Sequence, residues 1–154
     1  MKRNRGRRTR GQSLVEFALV VPIFAIALFG IIDLGRYASL ANSLSNGARE
    51  AARYASVGTR PSPQCDGLSR EACAISVASS NTWGVPSNMI TATVTCERIA
   101  PGDTTPNPIP VAQCRSNDLL RVHTAATFTL VTPIIAQFIG SFDVSGDTKV
   151  VVNQ

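Results

Sequence analysis

The chain has few of the side chains that most enzyme sites use. Its 154 residues include one histidine, and charged residues make up only 16% of the total. No Ser/His/Asp set, phosphate-binding glycine loop or carboxylate cluster is found, and the lone His123 falls beside Arg121 on the polar side of a strand-like pattern. We therefore predict a protein that is not an enzyme, has no catalytic residue and needs no cofactor.

Positive charge is also scarce outside one short segment. Six of the fifteen basic residues lie in the first ten positions, which leaves nine against all ten acids in the rest of the chain. The net charge of +5 therefore belongs to a basic tail on a nearly neutral body, and we expect no nucleic-acid partner. The apolar content of 44% excludes a disordered chain.

One long apolar run follows the basic tail. Residues 14–32 include thirteen Leu, Ile, Val or Phe and a single charge, Glu16. As a helix they would span roughly 28 Å, close to the ~30 Å of bilayer hydrocarbon. Because basic residues stay on the cytoplasmic side, we predict a single-pass anchor in the cytoplasmic membrane, with the N-terminus cytoplasmic and the C-terminal domain extracytoplasmic. The alternative is a cleaved signal peptide, whose apolar stretch is usually shorter.

A helical pattern continues beyond this run. Apolar residues recur every three or four positions and form one narrow stripe, which consists of Leu34, Tyr37, Ala41, Leu44, Ala48, Ala51 and Ala55. We predict one helix over about residues 13–57, kinked at Pro22 because proline removes a backbone hydrogen bond. The stripe either docks on the chain's own outer domain or contacts neighbouring subunits, and both can hold along different stretches. Its candidate subunit contacts are Leu34, Tyr37, Ala41 and Leu44.

The rest of the chain predicts a small α+β domain. A short helix with Asp66 or Ser69 as its N-cap runs to about Ser80, and its apolar face carries Leu68, Ala72, Ile75 and Ala78. Three stretches near 90–97, 120–130 and 142–152 then alternate between apolar and polar residues, which is typical of half-buried antiparallel strands. The fold class is therefore α+β, with a long N-terminal helix and a short helix packed on a three-stranded antiparallel sheet.

A second short helix is expected between the last two strands. Thr132-Pro133 begins it, and Gly140 ends it after Ile139. We expect its apolar residues to join the core, and the alternative is contact with the membrane or a partner subunit.

The four cysteines of an extracytoplasmic domain indicate disulfides. Three pairings exist, and we favour the two local ones, Cys65–Cys73 and Cys96–Cys114. The second would close the proline-rich loop 100–117 and contribute roughly 3 kcal/mol. A metal site is not expected, because there is no Cys-x-x-Cys and His123 is alone.

The junction between the basic tail and the apolar helix has an informative order of residues. Gly11 ends the tail, and Glu16 and Phe17 are the fifth and sixth residues after it. A cut after Gly11 would give Gln12 a new ammonium group, one turn from Glu16. A carboxylate in lipid needs a partner, and the new amine of a neighbouring subunit would supply one and set the axial register. The alternative is that Glu16 only reaches water at the interface.

These residues carry a resemblance to a known family. Residues 10–22 (RGQSLVEFALVVP) and 46–55 (NGAREAARYA) resemble TadE-like proteins of the tight-adherence (Tad/Flp) pilus system. The resemblance is strong over residues 10–57 and only general beyond them. It implies that a prepilin peptidase cuts after Gly11, with Glu16 as part of the processing signal. The family commonly has Glu-Tyr where this chain has Glu16-Phe17, which removes a phenol hydroxyl from any role in assembly.

The resemblance also implies a function. We predict a membrane-anchored minor pilin or pseudopilin of a type IV-like pilus that acts in assembly or adhesion. Its partners would be the prepilin peptidase, other pilin or pseudopilin subunits, the inner-membrane assembly platform and the bilayer. The alternative is a single-pass anchored extracytoplasmic binding or sensor domain that takes a ligand on loop 100–117.

The expected organisation has four parts. Residues 1–11 form a basic cytoplasmic leader and 12–57 the transmembrane and amphipathic helix. Residues 58–67 form a linker, and 68–154 form the extracytoplasmic α+β domain.

Overall fold

A computed structural model describes residues 8–57, 65–99 and 105–153. Its first element is one long helix, α1 (Arg8–Ser56), which continues through Pro22. The long helix predicted from the apolar run and the stripe is therefore confirmed. The predicted leader and linker lie mostly outside the described residues.

The second helix, α2 (Arg70–Ser80), begins as expected but turns a different face to the core. The Ser69 hydroxyl accepts a hydrogen bond from the backbone N–H of Ala72 at 3.2 Å, so Ser69 is the N-cap. The predicted apolar face is wrong in part, because Leu68 and Ile75 are exposed. The buried residues are Ala74, Val77 and Ala78. Small side chains face α1 because the stripe of α1 is itself rich in alanine and the two helices approach closely.

The sheet has four antiparallel strands, in the order β2-β1-β3-β4. They are β1 (Ile90–Arg98), β2 (Asn107–Ile109), β3 (Leu119–Thr129) and β4 (Ser141–Val151). The prediction of three strands is therefore wrong by one. The additional strand, β2, is three residues long and contains Pro108, so no alternating pattern marks it. Its place at the edge of the sheet explains why a proline is tolerated there.

Both α1 and α2 pack on one face of this sheet, and polar side chains cover the other. Thr124 of β3 lies opposite Gly146 of β4, at the middle of the longest strand pair. The core between the layers is made of Leu44, Ala48, Ala51, Ala55, Val77, Val94, Leu120, Val122 and Val152. This arrangement makes the second half of α1 the spine of the outer domain.

A third helix, α3 (Pro133–Ile139), connects β3 to β4. Its position was predicted, and Gly140 ends it with a φ of 70° that favours glycine. The expectation that its apolar residues join the core is wrong for Phe138, which is 87% exposed, and for Ile139, which is 59% exposed, whereas Ile135 is half-buried. The helix lies past the ends of both strands, where the sheet has no face left to cover it.

Both predicted disulfides are present. Cys65 and Cys73 are joined with a Cα–Cα distance of 4.9 Å, and Cys96 and Cys114 with one of 6.0 Å. The second disulfide ties β1, at its buried residue Cys96, to the end of the proline-rich loop, next to β2. It therefore helps to hold the additional strand on the edge of the sheet.

Candidate assembly interface

The residues predicted to direct processing lie in the first turns of α1. Gly11, Gln12, Glu16 and Phe17 are all exposed on this helix. A Cβ atom added at Gly11 would meet no atom within 4 Å. Among the described residues, Glu16 has no ion-pair partner. No other described part of the chain therefore covers these residues.

The stripe along α1 divides into a buried and an exposed part. Leu44 is fully buried in the chain's own core, and so are the stripe alanines that follow it along α1, Ala48, Ala51 and Ala55. This part of the stripe, from Leu44 to Ala55, therefore packs on the chain's own outer domain, which was one of its two predicted roles. Leu34 remains 67% exposed and Tyr37 is partly exposed, while Ala41 is half-buried. Within the stripe, Leu34 and part of the Tyr37 side chain therefore remain open to a partner, whereas Leu44 does not.

The outer domain, which consists of the sheet with α2 and α3 and is called the head below, packs closely against α1. Backbone atoms of the two are in contact. The hydroxyl of Thr124 lies 3.0 Å from the carbonyl oxygen of Leu44 and 3.2 Å from that of Gly146. Gly146 itself lies against the helix backbone at Leu44 and Ser45. A side chain at this position would separate the layers, so glycine is required for the approach.

Asp33 ties the far end of the head to α1, directly after the apolar run. Its carboxylate accepts hydrogen bonds from the backbone N–H groups of Val131 and Thr132, both at 3.0 Å, and from the Thr132 hydroxyl at 2.7 Å. Arg36 donates a further bond at 3.1 Å. Asp33 is only 4% exposed. These bonds, first that from Val131 and then that from the Thr132 side chain, lower the pKa of Asp33 from 3.8 to about 2.

Aromatic side chains support this junction one turn further along α1. The Tyr37 ring meets the rings of Phe128 and Phe142, each with a centroid distance of 6.1 Å. The Arg36 guanidinium lies 5.2 Å from the centre of the Phe128 ring. Asp33 was not among the residues that the sequence predicted to form a site. Its main partners are almost a hundred residues away, and no local pattern points to them.

A second surface was missed because it lies in a loop. Trp83 is 84% exposed, and Met89 nearby is also exposed. The Ser43 hydroxyl of α1 holds the loop by donating to the Trp83 carbonyl oxygen at 3.1 Å and accepting from its N–H. A groove of about 350 Å³ separates this loop from α1 near Leu40. The only available signal was that the single tryptophan stands between Asn, Gly and Pro residues.

The polar groups of the head form ion pairs. Asp147 accepts from Arg121 at 3.0 Å and lies 3.1 Å from His123 on the polar face of the sheet. His123 is partly exposed there, as predicted for a strand residue. Together these three groups lie on an open surface rather than in a cleft.

One buried carboxylate lies beside the second disulfide. Asp118 receives two hydrogen bonds from the Arg98 guanidinium, at 2.6 and 2.7 Å. These bonds are the main reason why the pKa of Asp118 is lowered. Asp118 also lies near the sulfurs of Cys96 and Cys114, but those sulfurs are bonded to each other. With the thiolates oxidised and the carboxylate paired, this group has no free ligand set for a metal.

The geometry defines a class of protein in which one long helix has an exposed apolar first half and a second half that is the spine of a small disulfide-bonded head. Among the described helices, α1 is long and apolar enough to cross a membrane, which is consistent with a single-pass anchor. Residues 11–53 match the family model of TadE-like protein. The resemblance predicted from the sequence is therefore confirmed over this segment, and it points to a protein associated with the Tad pilus. No curated protein and no solved structure matches the chain.

Proposed function

We propose that this protein is a membrane-anchored minor pilin or pseudopilin of a Tad-type, type IV-like pilus, acting in pilus assembly or adhesion. The observation that carries the proposal is the continuity of α1. Its exposed first turns hold the residues of the processing signal, and its last turns are the core of the head. A contact made by the N-terminal end of α1 therefore also positions the head, because the helix connects the two without a break.

Processing would create the assembly contact. A prepilin peptidase cleaves after Gly11 and removes the basic leader from the cytoplasmic side. Gln12 then carries an ammonium group at the positive end of the helix dipole. The carboxylate of Glu16 in one subunit pairs with this amine in the next, because a charge in lipid is stabilised by an opposite charge. That pairing sets the axial register between subunits.

Lateral contacts come from the exposed side of the same helix. Leu34 is exposed just beyond the apolar run, and Tyr37 is partly exposed although its ring also contacts Phe128 and Phe142. Trp83 adds an exposed aromatic side chain from the loop that is bonded to Ser43 of α1. Exposed aromatic residues of this kind are enriched in protein interfaces. The partners are other pilin or pseudopilin subunits and the inner-membrane assembly platform.

The first test is the N-terminus of the mature protein. Sequencing should give Gln12 in a strain with its prepilin peptidase. Gly11→Ala should block this cleavage, although an added Cβ meets no atom of the described residues within 4 Å. Gly35→Ala is the matched control, since it also lies in open space on α1, and it should be processed normally. A mature protein that begins at Met1 would refute the proposed processing. So would one that begins at Asn42, the start expected if a signal peptidase cut after Ser39-Leu40-Ala41.

The second test addresses Glu16. Glu16→Leu should reduce the amount of protein that cofractionates with sheared pili by about tenfold. Glu71→Leu makes the same change at an exposed acid of α2 and should have no effect. Equal cofractionation of both variants would remove the Glu16 charge from the mechanism.

The alternative of a binding or sensor domain depends on loop 100–117. In its described part, residues 105–117, Val111 and Cys114 are buried and residues 107–109 pair with β1. This part of the loop is therefore built into the sheet, which favours the pilin proposal.

A further inference from the structure

We propose that α3 lies in the interfacial layer of the membrane that α1 crosses, so that the head contacts lipid at a second point. The occupant of the exposed apolar surface of α3 is the bilayer itself. This inference rests on the proposed role of α1 as a membrane anchor and goes beyond it.

The direction of β3 places α3 at the membrane. Each contact further along β3, and then just after its end, lies closer to the apolar end of α1. The three contacts are Thr124 with Leu44, Phe128 with Tyr37, and Thr132 with Asp33. The chain therefore approaches the apolar run as it leaves the strand, and α3 begins at the next residue, Pro133. Asp33 follows directly on Ile32, the last residue of that run.

The composition of α3 and of the residues on either side of it is compatible with contact with lipid. Residues 130–142 contain no charged side chain. Phe138 and Ile139 are exposed, and so is Val131 before the helix. Aromatic and aliphatic side chains of this kind enter the boundary between headgroups and acyl chains. No other described element buries these three side chains. The bilayer can cover them, because Asp33 holds the start of α3 next to the end of the apolar run.

The attachment also explains why Asp33 is so completely bonded. Its carboxylate satisfies the backbone N–H groups that precede α3, which would otherwise be left unpaired close to lipid. The same bonds fix α3 relative to α1. The head is then held at the membrane by its helix and by α3 together.

Tryptophan fluorescence in lipid vesicles tests this placement. The chain has a single tryptophan, Trp83, whose backbone is hydrogen-bonded to Ser43. Ser43 follows Asp33 by ten residues of α1, which places it roughly 15 Å further from the apolar run. The full-length protein and two variants are reconstituted in phosphatidylcholine–phosphatidylglycerol vesicles with and without acyl-brominated lipid. The variants are Trp83→Phe with Phe138→Trp, and Trp83→Phe with Phe24→Trp. Positions 83 and 138 are both strongly exposed, so neither substitution endangers folding.

We expect bromolipid quenching at position 138 to exceed that at position 83 at least twofold, with strong quenching at position 24. Quenching at 24 but equally weak quenching at 138 and 83 would overturn the inference and leave the anchor intact. A probe at 138 that is shielded from iodide but not quenched by bromolipid would also overturn it, and would indicate a second copy as the occupant. Weak quenching at position 24 would refute the anchor on which both proposals rest.

Discussion

Replacing Gly146 with alanine should loosen the contact between the sheet and α1. A Cβ atom at this position would lie 2.7 Å from the backbone nitrogen of Ser45 and 2.8 Å from the carbonyl carbon of Leu44. Both are backbone atoms inside a helix, so neither can rotate away. Strand β4 must move outward instead. Because Thr124 of β3 is paired with Gly146, its hydroxyl would move away from the Leu44 carbonyl oxygen as well.

The expected cost follows from these two effects. Overpacking of a core contact costs about 1–3 kcal/mol, and a lost hydrogen bond adds about 1 kcal/mol. The free energy of unfolding should therefore fall by about 2–4 kcal/mol. With about 4 °C of Tm for each kcal/mol in a domain of this size, the melting temperature should drop by roughly 8–16 °C.

Circular dichroism melts of the full-length protein in detergent micelles would measure the shift. Gly35→Ala is the matched control, because its Cβ would meet no atom within 4 Å. Alanine is the better helix former by about 1 kcal/mol, so this variant should keep or raise the Tm. An unchanged Tm for Gly146→Ala would refute the close packing of β4 on α1.

Three further predictions address the junction, a disulfide and the loop surface. Because the pKa of Asp33 is lowered to about 2 from an unfolded value near 4, its contribution to stability should be complete above about pH 4. That contribution should be lost as the pH falls through 2. Denaturation curves at decreasing pH should show this loss in the natural protein but much less of it in Asp33→Asn, and identical curves would contradict it. Replacing Cys96 and Cys114 with serine should lower the free energy of unfolding by about 3 kcal/mol in urea titrations, and by less for the shorter disulfide, whereas the reverse order would argue against loop closure as the cause. Trp83→Ala should leave the Tm unchanged and reduce cofractionation with pili severalfold, and full cofractionation would exclude this surface from assembly.

The regular elements were predictable because their signals are local. The helical spacing from Leu34 to Ala55 and the alternation in β1, β3 and β4 each follow from the period of a single element. Ser69 and Gly140 marked helix ends for equally local reasons. The two disulfides join cysteines that are close in the sequence, so the simplest pairing was also the one found.

The errors concern elements that depend on a partner. Strand β2 has three residues and acquires its conformation by pairing with β1, where Cys96 lies opposite Ile109. The buried face of α2 was misjudged because hydrophobicity favoured Ile75, whereas close approach to α1 required Ala74 and Ala78. The exposure of α3 could not be predicted, since only the ends of β3 and β4 determine what covers it.

The sequence by itself determined the topology of this protein: a basic tail, one apolar helix with a single carboxylate near its start, and a small disulfide-bonded α+β domain. These properties depend on composition and on spacing within one segment. The tertiary structure alone decided that Leu44 is core while Leu34 is surface, and that Asp33 connects the head to the apolar half of α1. Those outcomes depend on residues far apart in the chain, whose distances are set only when the helix and the sheet have packed together.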